Sequence, residues 1–259
     1  MKLVVKVGTS TLAHSTGRLN IQRTQKLCEV LSDLKNAGHE IILVTSGAIG
    51  MGVGKLSLLQ KPEDIPTKQA AAAVGQCELM YTYDKLFSEY HHTVAQILLT
   101  GADFSHDDRL QNFKNTMERL LQLGVLPIIN ENDTIATDEI KVGDNDTLSA
   151  LVATSVKADL LIILSDIDGL YTSDPHKDTS AKLIQRVEEI TPQILQLAGG
   201  EGSALGTGGM KTKLSAAALC MQNGTDMMII NGSDPSLLYK AVEKEKVGTR
   251  FVSKGKNNG

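Results

Sequence analysis

Apolar residues fall along the chain in short, nearly continuous runs rich in Val, Ile and Leu, at positions 3–7, 41–44, 94–99, 125–129, 160–164 and 227–230. Strands covered on both faces read this way, whereas a strand with one wet face alternates. Between the runs lie longer segments with helical spacing of apolar positions, at 21–36, 68–88, 109–123, 147–156 and 211–223. This alternation predicts an α/β fold with a mostly parallel central sheet sandwiched between helices. Turn chemistry agrees, because Asn36-Ala37-Gly38-His39 and Gln222-Asn223-Gly224 close helical segments just before apolar runs. Residues 134–142 alternate Ile135, Thr137, Ile140 and Val142 with polar neighbours and predict an exposed hairpin. Residues 174–181 are polar, contain Pro175 and predict a loop. No internal repeat, low-complexity tract or linker interrupts the pattern, so residues 1–259 read as one domain, with 253–259 as a frayed tail.

The ends of the runs are more informative than the runs. They read Gly8-Thr9-Ser10, Thr45-Ser46-Gly47-Ala48, Thr100-Gly101, Asn130-Glu131-Asn132-Asp133, Ser165-Asp166 and Asn231-Gly232. Parallel strands bring such ends to one edge of the sheet, where open α/β folds bind ligands. Loops are polar in any case, but that does not account for small, glycine-flanked hydroxyls and carboxamides in place of long surface charges. Three turns are glycine-rich: 8–10, 46–54 and 199–209. Glycine lets backbone N–H groups wrap an anion, and lysines stand beside two of these turns, which predicts a phosphate site. Neither a Gly-x-x-x-x-Gly-Lys-Ser/Thr loop nor a Gly-x-Gly-x-x-Gly turn after the first strand occurs, which excludes a P-loop ATPase and weakens a dinucleotide site. Lys6 lies in an otherwise apolar run just before a glycine turn, a poor fit to a solvated edge position. Lys213 reads either as a solvated helix face or as part of the site. Gln76 and Glu78 read as helix surface, and residues 70–73, all Ala, as close helix packing.

Composition narrows the class. The chain has 259 residues, 41% hydrophobic and 22% charged, with a formal net charge of −4. That size and balance suit a buried globular core, and the negative sign disfavours a nucleic-acid backbone as partner. The cysteines, Cys28, Cys77 and Cys220, are scattered through helical segments, so they read as small buried apolar side chains in a reducing compartment rather than a disulfide or zinc framework. Lys6 interrupts the N-terminal apolar run too early for a signal peptide, and no run approaches the ~18 residues of a membrane helix. A cytoplasmic location is the expectation.

Against that background, Val4-Val5-Lys6-Val7-Gly8-Thr9-Ser10 and Val44-Thr45-Ser46-Gly47-Ala48-Ile49 resemble the opening strand and two glycine turns of the amino acid kinase family. Longer matches are Ala72-Ala73-Val74-Gly75-Gln76, Asn130-Glu131-Asn132-Asp133, Glu139-Ile140-Lys141-Val142-Gly143-Asp144-Asn145-Asp146, Gly169-Leu170-Tyr171-Thr172 and Gly206-Thr207-Gly208-Gly209-Met210. They resemble the branch whose members phosphorylate the γ-carboxylate of free glutamate, and the likeness runs from residue 2 to about 251. Many bacterial members carry a further C-terminal domain of the PUA type, and this sequence stops before it.

The resemblance implies ATP as phosphoryl donor with Mg2+ carried by the nucleotide and no direct side-chain metal ligand. It implies Lys6 and Lys213 as the cations of the transfer site and Asp146 as the acid that holds them, with Asp144 as the alternative. Ser46, Gly47, Ala48, Asn130, Asp133 and Asn145 would bind L-glutamate. Lys6, Gly8, Thr9, Ser165, Asp166, Thr207, Gly208, Gly209, Met210, Lys211, Thr212 and Lys213 would border ATP. The first part of the chain, to about 150, would bind the amino acid and the part from about 151 to 253 the nucleotide. A homo-oligomer, dimer or tetramer, and inhibition by L-proline are further implications. Other readings remain open: acetylglutamate, aspartate or uridylate kinase, or a non-catalytic amino-acid or nucleotide sensor.

Overall fold

The structure is a computed structural model and describes residues 1–14, 18–60, 62–136, 145–175, 177–197 and 209–253. Eight strands form one sheet in the order β3-β4-β2-β1-β5-β7-β8-β6. They are β1 (Lys2–Val7), β2 (Glu40–Val44), β3 (Val94–Leu99), β4 (Leu126–Glu131), β5 (Leu160–Ser165), β6 (Arg186–Val187), β7 (Asp226–Asn231) and β8 (Thr249–Phe251). Strands β1 to β5 and β7 run parallel. β8 joins β7 antiparallel, and the short β6 pairs parallel to β8. The described helices are α1 (Thr9–Leu12), α2 (Ile21–Asn36), α3 (Ala48–Lys55), α4 (Ile65–Ser88), α5 (Asp107–Gln122), α6 (Asn145–Ser155), α7 (Pro192–Gln196), α8 (Met210–Gln222) and α9 (Leu237–Val242). Among them, none is long and apolar enough to cross a membrane.

Helices cover both faces of the sheet. On one side Leu3, Val5, Val7, Ile41 and Leu43 pack with Leu27 and Leu31 of α2 and Leu79 and Tyr83 of α4. On the other, Val4, Ile42, Val44 and Ile163 pack with Met117 of α5, Val152 of α6 and Leu214 of α8. Both-face burial explains why the central strands read as unbroken apolar runs. β3 departs from that expectation. It pairs only with β4 at the edge of the sheet, so Val94, Ala95 and Ile97 are half-buried and Gln96 is exposed. α4 starts earlier than its apolar spacing suggests, because Asp64 caps it by accepting from the Thr67 N–H and Pro66 occupies its first turn.

Of the tail expected to fray, Ser253 departs from that expectation, and residues 254–259 lie outside the described residues. Ser253 is buried, and its N–H and Oγ both donate to Asp226 Oδ1 at 3.0 Å. Arg250 holds the other oxygen of Asp226 at 2.9 Å, so β7 and β8 are joined by side chains as well as by backbone. Of the cysteines, Cys28 and Cys220 are buried as expected, but Cys77 is exposed on the outer face of α4. Residues 134 and 135 form an exposed turn, Ala136 after them is buried, and residues 137–142 of the anticipated hairpin lie outside the described residues.

Candidate active site

β1 lies at the centre of the parallel strands, between β2 and β5, and its side chains alternate between layers. Val5 and Val7 enter the α2–α4 layer, whereas Val4 enters the α6–α8 layer. Lys6 shares Val4's side and therefore points beneath α6 and α8, with 8% of its surface exposed. The turn after it leaves little room for a side chain: a Cβ on Gly8 would sit 3.3 Å from the Lys6 ammonium.

Asp146 stands in the first turn of α6 and is fully buried. Its Oδ1 contacts Lys6 Nζ at 2.7 Å and its Oδ2 contacts Lys213 Nζ at 3.1 Å. Lys213 belongs to the core-facing stripe of α8 with Ala217 and Cys220, so it is 7% exposed, whereas Lys211 on the same helix is exposed. Spacing of i, i+4 and i+7 selects that buried stripe. Thr212 Oγ1 lies 3.0 Å from Asp146 Oδ2 and 2.8 Å from the Gly209 carbonyl, its one proton shared between them. Burial pushes the Asp146 carboxyl upward, but the charges and hydrogen bonds of Lys6 and Lys213 outweigh burial and bring it down to about 2. It is therefore ionised throughout the physiological range, and the helix N-terminus suits that charge.

One residue earlier, Asn145 gathers the amino-acid side of the site. Its Nδ2 lies 2.5 Å from the Thr45 carbonyl, 2.9 Å from Ser46 Oγ and 3.0 Å from Asn130 Oδ1. Gly47 follows Ser46 with φ of +105°, a conformation that favours glycine, and begins α3 at Ala48. The first two glycine turns are neighbours, since a Cβ on Gly47 would be 3.8 Å from Thr9 Oγ1. Asp133 sits half-buried in the turn beyond β4.

On the other side of β1, Ser165 ends β5 buried and donates to the exposed Asp166 at 3.2 Å. They line a pocket of about 190 Å³ with Ser10, Arg23 and Asn231. Met210 begins α8 after Gly209. Thr207, Gly208, Asp144 and most of the third glycine turn lie outside the described residues. Among the described residues no group of three or more His, Cys, Asp or Glu is placed to hold a metal ion.

Two residues of this region were not anticipated. Thr45 supplies a carbonyl to Asn145, while its hydroxyl meets the buried Tyr83 hydroxyl at 2.8 Å. Gln76, expected on the helix surface, is buried, and its Oε1 accepts from Asn130 Nδ2 at 2.8 Å. The signal was present, because Gln76 continues the Ala72, Leu79 and Tyr83 stripe of α4, the face turned to the sheet.

Comparisons with known proteins bear on the family and the fold. A sequence model of the amino acid kinase family matches residues 1–231. A glutamate 5-kinase of Clostridium perfringens is 54% identical over 98% of this chain and 96% of its own length. One from Caldanaerobacter subterraneus is 52% identical over 97% of this chain and 68% of its own length. A Listeria innocua relative of the same name is 51% identical, covering 98% and 93%. In three dimensions, carbamate kinase from Giardia lamblia bound to AMP-PNP superimposes with a TM-score of 0.69 at 16% identity over 98% of both chains. UMP kinase from Ureaplasma parvum gives 0.64 at 13% identity, over 97% of this chain and 98% of its own. These two likenesses concern the fold.

Proposed function

The chain belongs to the amino acid kinase family and, within it, to the glutamate 5-kinases; from that premise we propose how its residues carry out the reaction. The enzyme transfers the γ-phosphoryl group of ATP to the γ-carboxylate of L-glutamate, giving γ-glutamyl phosphate, the first step of proline biosynthesis. The observation that carries the reading is one buried carboxylate, Asp146, clamped between two buried ammonium groups at the ligand-binding edge of the sheet. Buried ion pairs are poor investments for stability alone, so such a cluster at a strand end argues for function.

The nucleophile is already ionised near neutral pH, as a carboxylate with an ordinary pKa of about 4.3, so no general base is needed. The difficulty is bringing one anion to another, and catalysis is positioning plus charge neutralisation. Lys6 faces the transferred phosphoryl group and Lys213 the β-phosphate that leaves, while Asp146 keeps both ammonium groups from swinging away. No side chain is assigned to Mg2+, which would be carried by the nucleotide and would supply further charge neutralisation there. Ser46, Gly47, Ala48, Asn130, Asp133 and Asn145 hold the amino acid. Gly8, Thr9, Ser165, Asp166 and residues 207–213 border ATP. Apart from Lys6, Gly8 and Thr9, which meet ATP from the other half, residues up to about 150 form the amino-acid part and residues from about 151 to 253 the nucleotide part.

Incubation with ATP, Mg2+ and a panel of glutamate, N-acetylglutamate, aspartate and UMP tests the assignment. Turnover of glutamate alone is expected, and ATP binding without any transfer would point instead to a sensor. The enzyme works in the cytoplasm, assembles as a homo-oligomer measurable by sedimentation, and is inhibited by L-proline at or near the glutamate site. Glutamate kinetics that stay unchanged at high proline would discard the last.

A further inference from the structure

Gln76 touches none of the reacting groups, yet it closes the chain of carboxamides that holds Asn145. It is a polar residue in an apolar stripe, 7% exposed, so its amide must find partners inside the protein. The polarity of the chain is forced from one end. The Glu131 backbone N–H can only donate, and Asn130 Oδ1 accepts it at 2.9 Å. That oxygen also receives Asn145 Nδ2 at 3.0 Å. Asn130 Nδ2 is thereby turned to the opposite side, where Gln76 Oε1 accepts it at 2.8 Å. The remaining arm of Gln76 is weak, an Nε2 donor 3.4 Å from Oε1 of the exposed Gln96.

Gln76 is also fixed in place relative to the turn that carries Ser46. Its neighbour Gly75 lies in backbone contact with α3, since a Cβ there would fall 1.8 Å from the Ala48 carbonyl and 2.4 Å from the Gly52 nitrogen. α4 therefore cannot drift from the 46–48 turn, and the Gln76 oxygen has a defined position beneath the end of β4.

We propose that Gln76 is a positioning residue for the glutamate subsite: its carboxamide oxygen orients Asn130 and, through Asn130, the Asn145–Ser46 pair. The inference rests on the reading of Asn145 and Ser46 as amino-acid ligands. Without that oxygen, Asn130 Nδ2 is a buried donor with no acceptor, and the nearest relief is rotation of the Asn130 side chain, which withdraws its oxygen from Asn145. A purely structural Gln76 would instead affect stability and the active fraction, leaving the affinity of the folded enzyme for glutamate unmoved.

The experiment compares Gln76→Met, similar in size without the acceptor, with Gln76→Glu, which keeps an acceptor oxygen while exposed Gln96 can turn its amide to donate. Steady-state kinetics vary glutamate and ATP separately. Gln76→Met is expected to raise KM for glutamate roughly tenfold, the order set by one buried unpaired donor, with KM for ATP within about two-fold of wild type. Gln76→Glu should recover most of the difference. Should Gln76→Met fail to fold, Gln76→Asn, whose shorter side chain withdraws the oxygen, takes its place with the same expectation. An unmoved KM for glutamate, an equal rise for both substrates, or a Glu variant as poor as Met overturns the inference. A wild-type protein silent toward glutamate overturns the functional reading, and this inference with it.

Discussion

Lys6, Asp146 and Lys213 are three side chains drawn from distant parts of the sequence, and their value lies in charge. Replacing either lysine by Ala should lower kcat by roughly 10²–10³, the usual effect of removing one preorganised charge-stabilising donor. The loss should persist at saturating ATP and glutamate, which separates it from weakened binding. Asp146 carries a pH signature. Its carboxyl falls from the ordinary 3.8 to about 2 in the folded protein, so its contribution is fully present above pH 4 and is lost as pH falls through 2. That amounts to about 2 kcal/mol. Asp146→Asn removes this dependence. The stability difference between wild type and Asp146→Asn, followed by urea unfolding, should shrink by about that amount between pH 5 and pH 2. The lysines were visible in sequence as cations beside glycine turns. That Lys213 is buried and Lys211 exposed became plain only with α8 packed on the sheet.

At the scale of elements, α3 and α4 meet through their backbones. A Cβ on Gly52 would lie 1.8 Å from the Ala71 carbonyl, the counterpart of the Gly75 contact with Ala48. No rotamer adjustment relieves a clash between main chains, so Gly75→Ala must push the helices apart. It should destabilise by about 1–3 kcal/mol, read as a lower urea midpoint with an unchanged slope. Separation would also carry the 46–48 turn away from Asn145, so KM for glutamate should rise in the surviving enzyme. The run of alanines at 70–73 suggested close packing, and α4 does use Ala71 that way. Which helix it packs against was not legible, since small residues announce proximity without naming the neighbour. The missed exposure of β3 has a similar origin: an apolar run does not reveal whether the strand has one neighbour or two.

Across the whole molecule, β1 divides the parallel sheet. β2, β4 and β3 lie on one side, with β5 and β7 on the other, and Lys6 stands at the boundary. If the halves serve different substrates, substitutions should separate cleanly. Ser46→Ala is expected to raise KM for glutamate several-fold with little change for ATP. Asp166→Ala should do the reverse. Both constants moving together in both variants would refute the division.

The sequence by itself determined the layered α/β plan, the polar edge at the strand ends and the unusual status of Lys6. Hydrophobic periodicity encodes which side of each element is buried, and a cation inside an apolar strand violates it visibly. The family resemblance named Asp146, with Asp144 as the alternative, as the acid between Lys6 and Lys213; only the tertiary structure decided that Asp146 contacts both, that Gln76 faces inward to Asn130, and that Ser253 is anchored rather than frayed. Each of these depends on crossover connections bringing remote segments together, and the identity of a residue's distant partner is not contained in the local pattern around it.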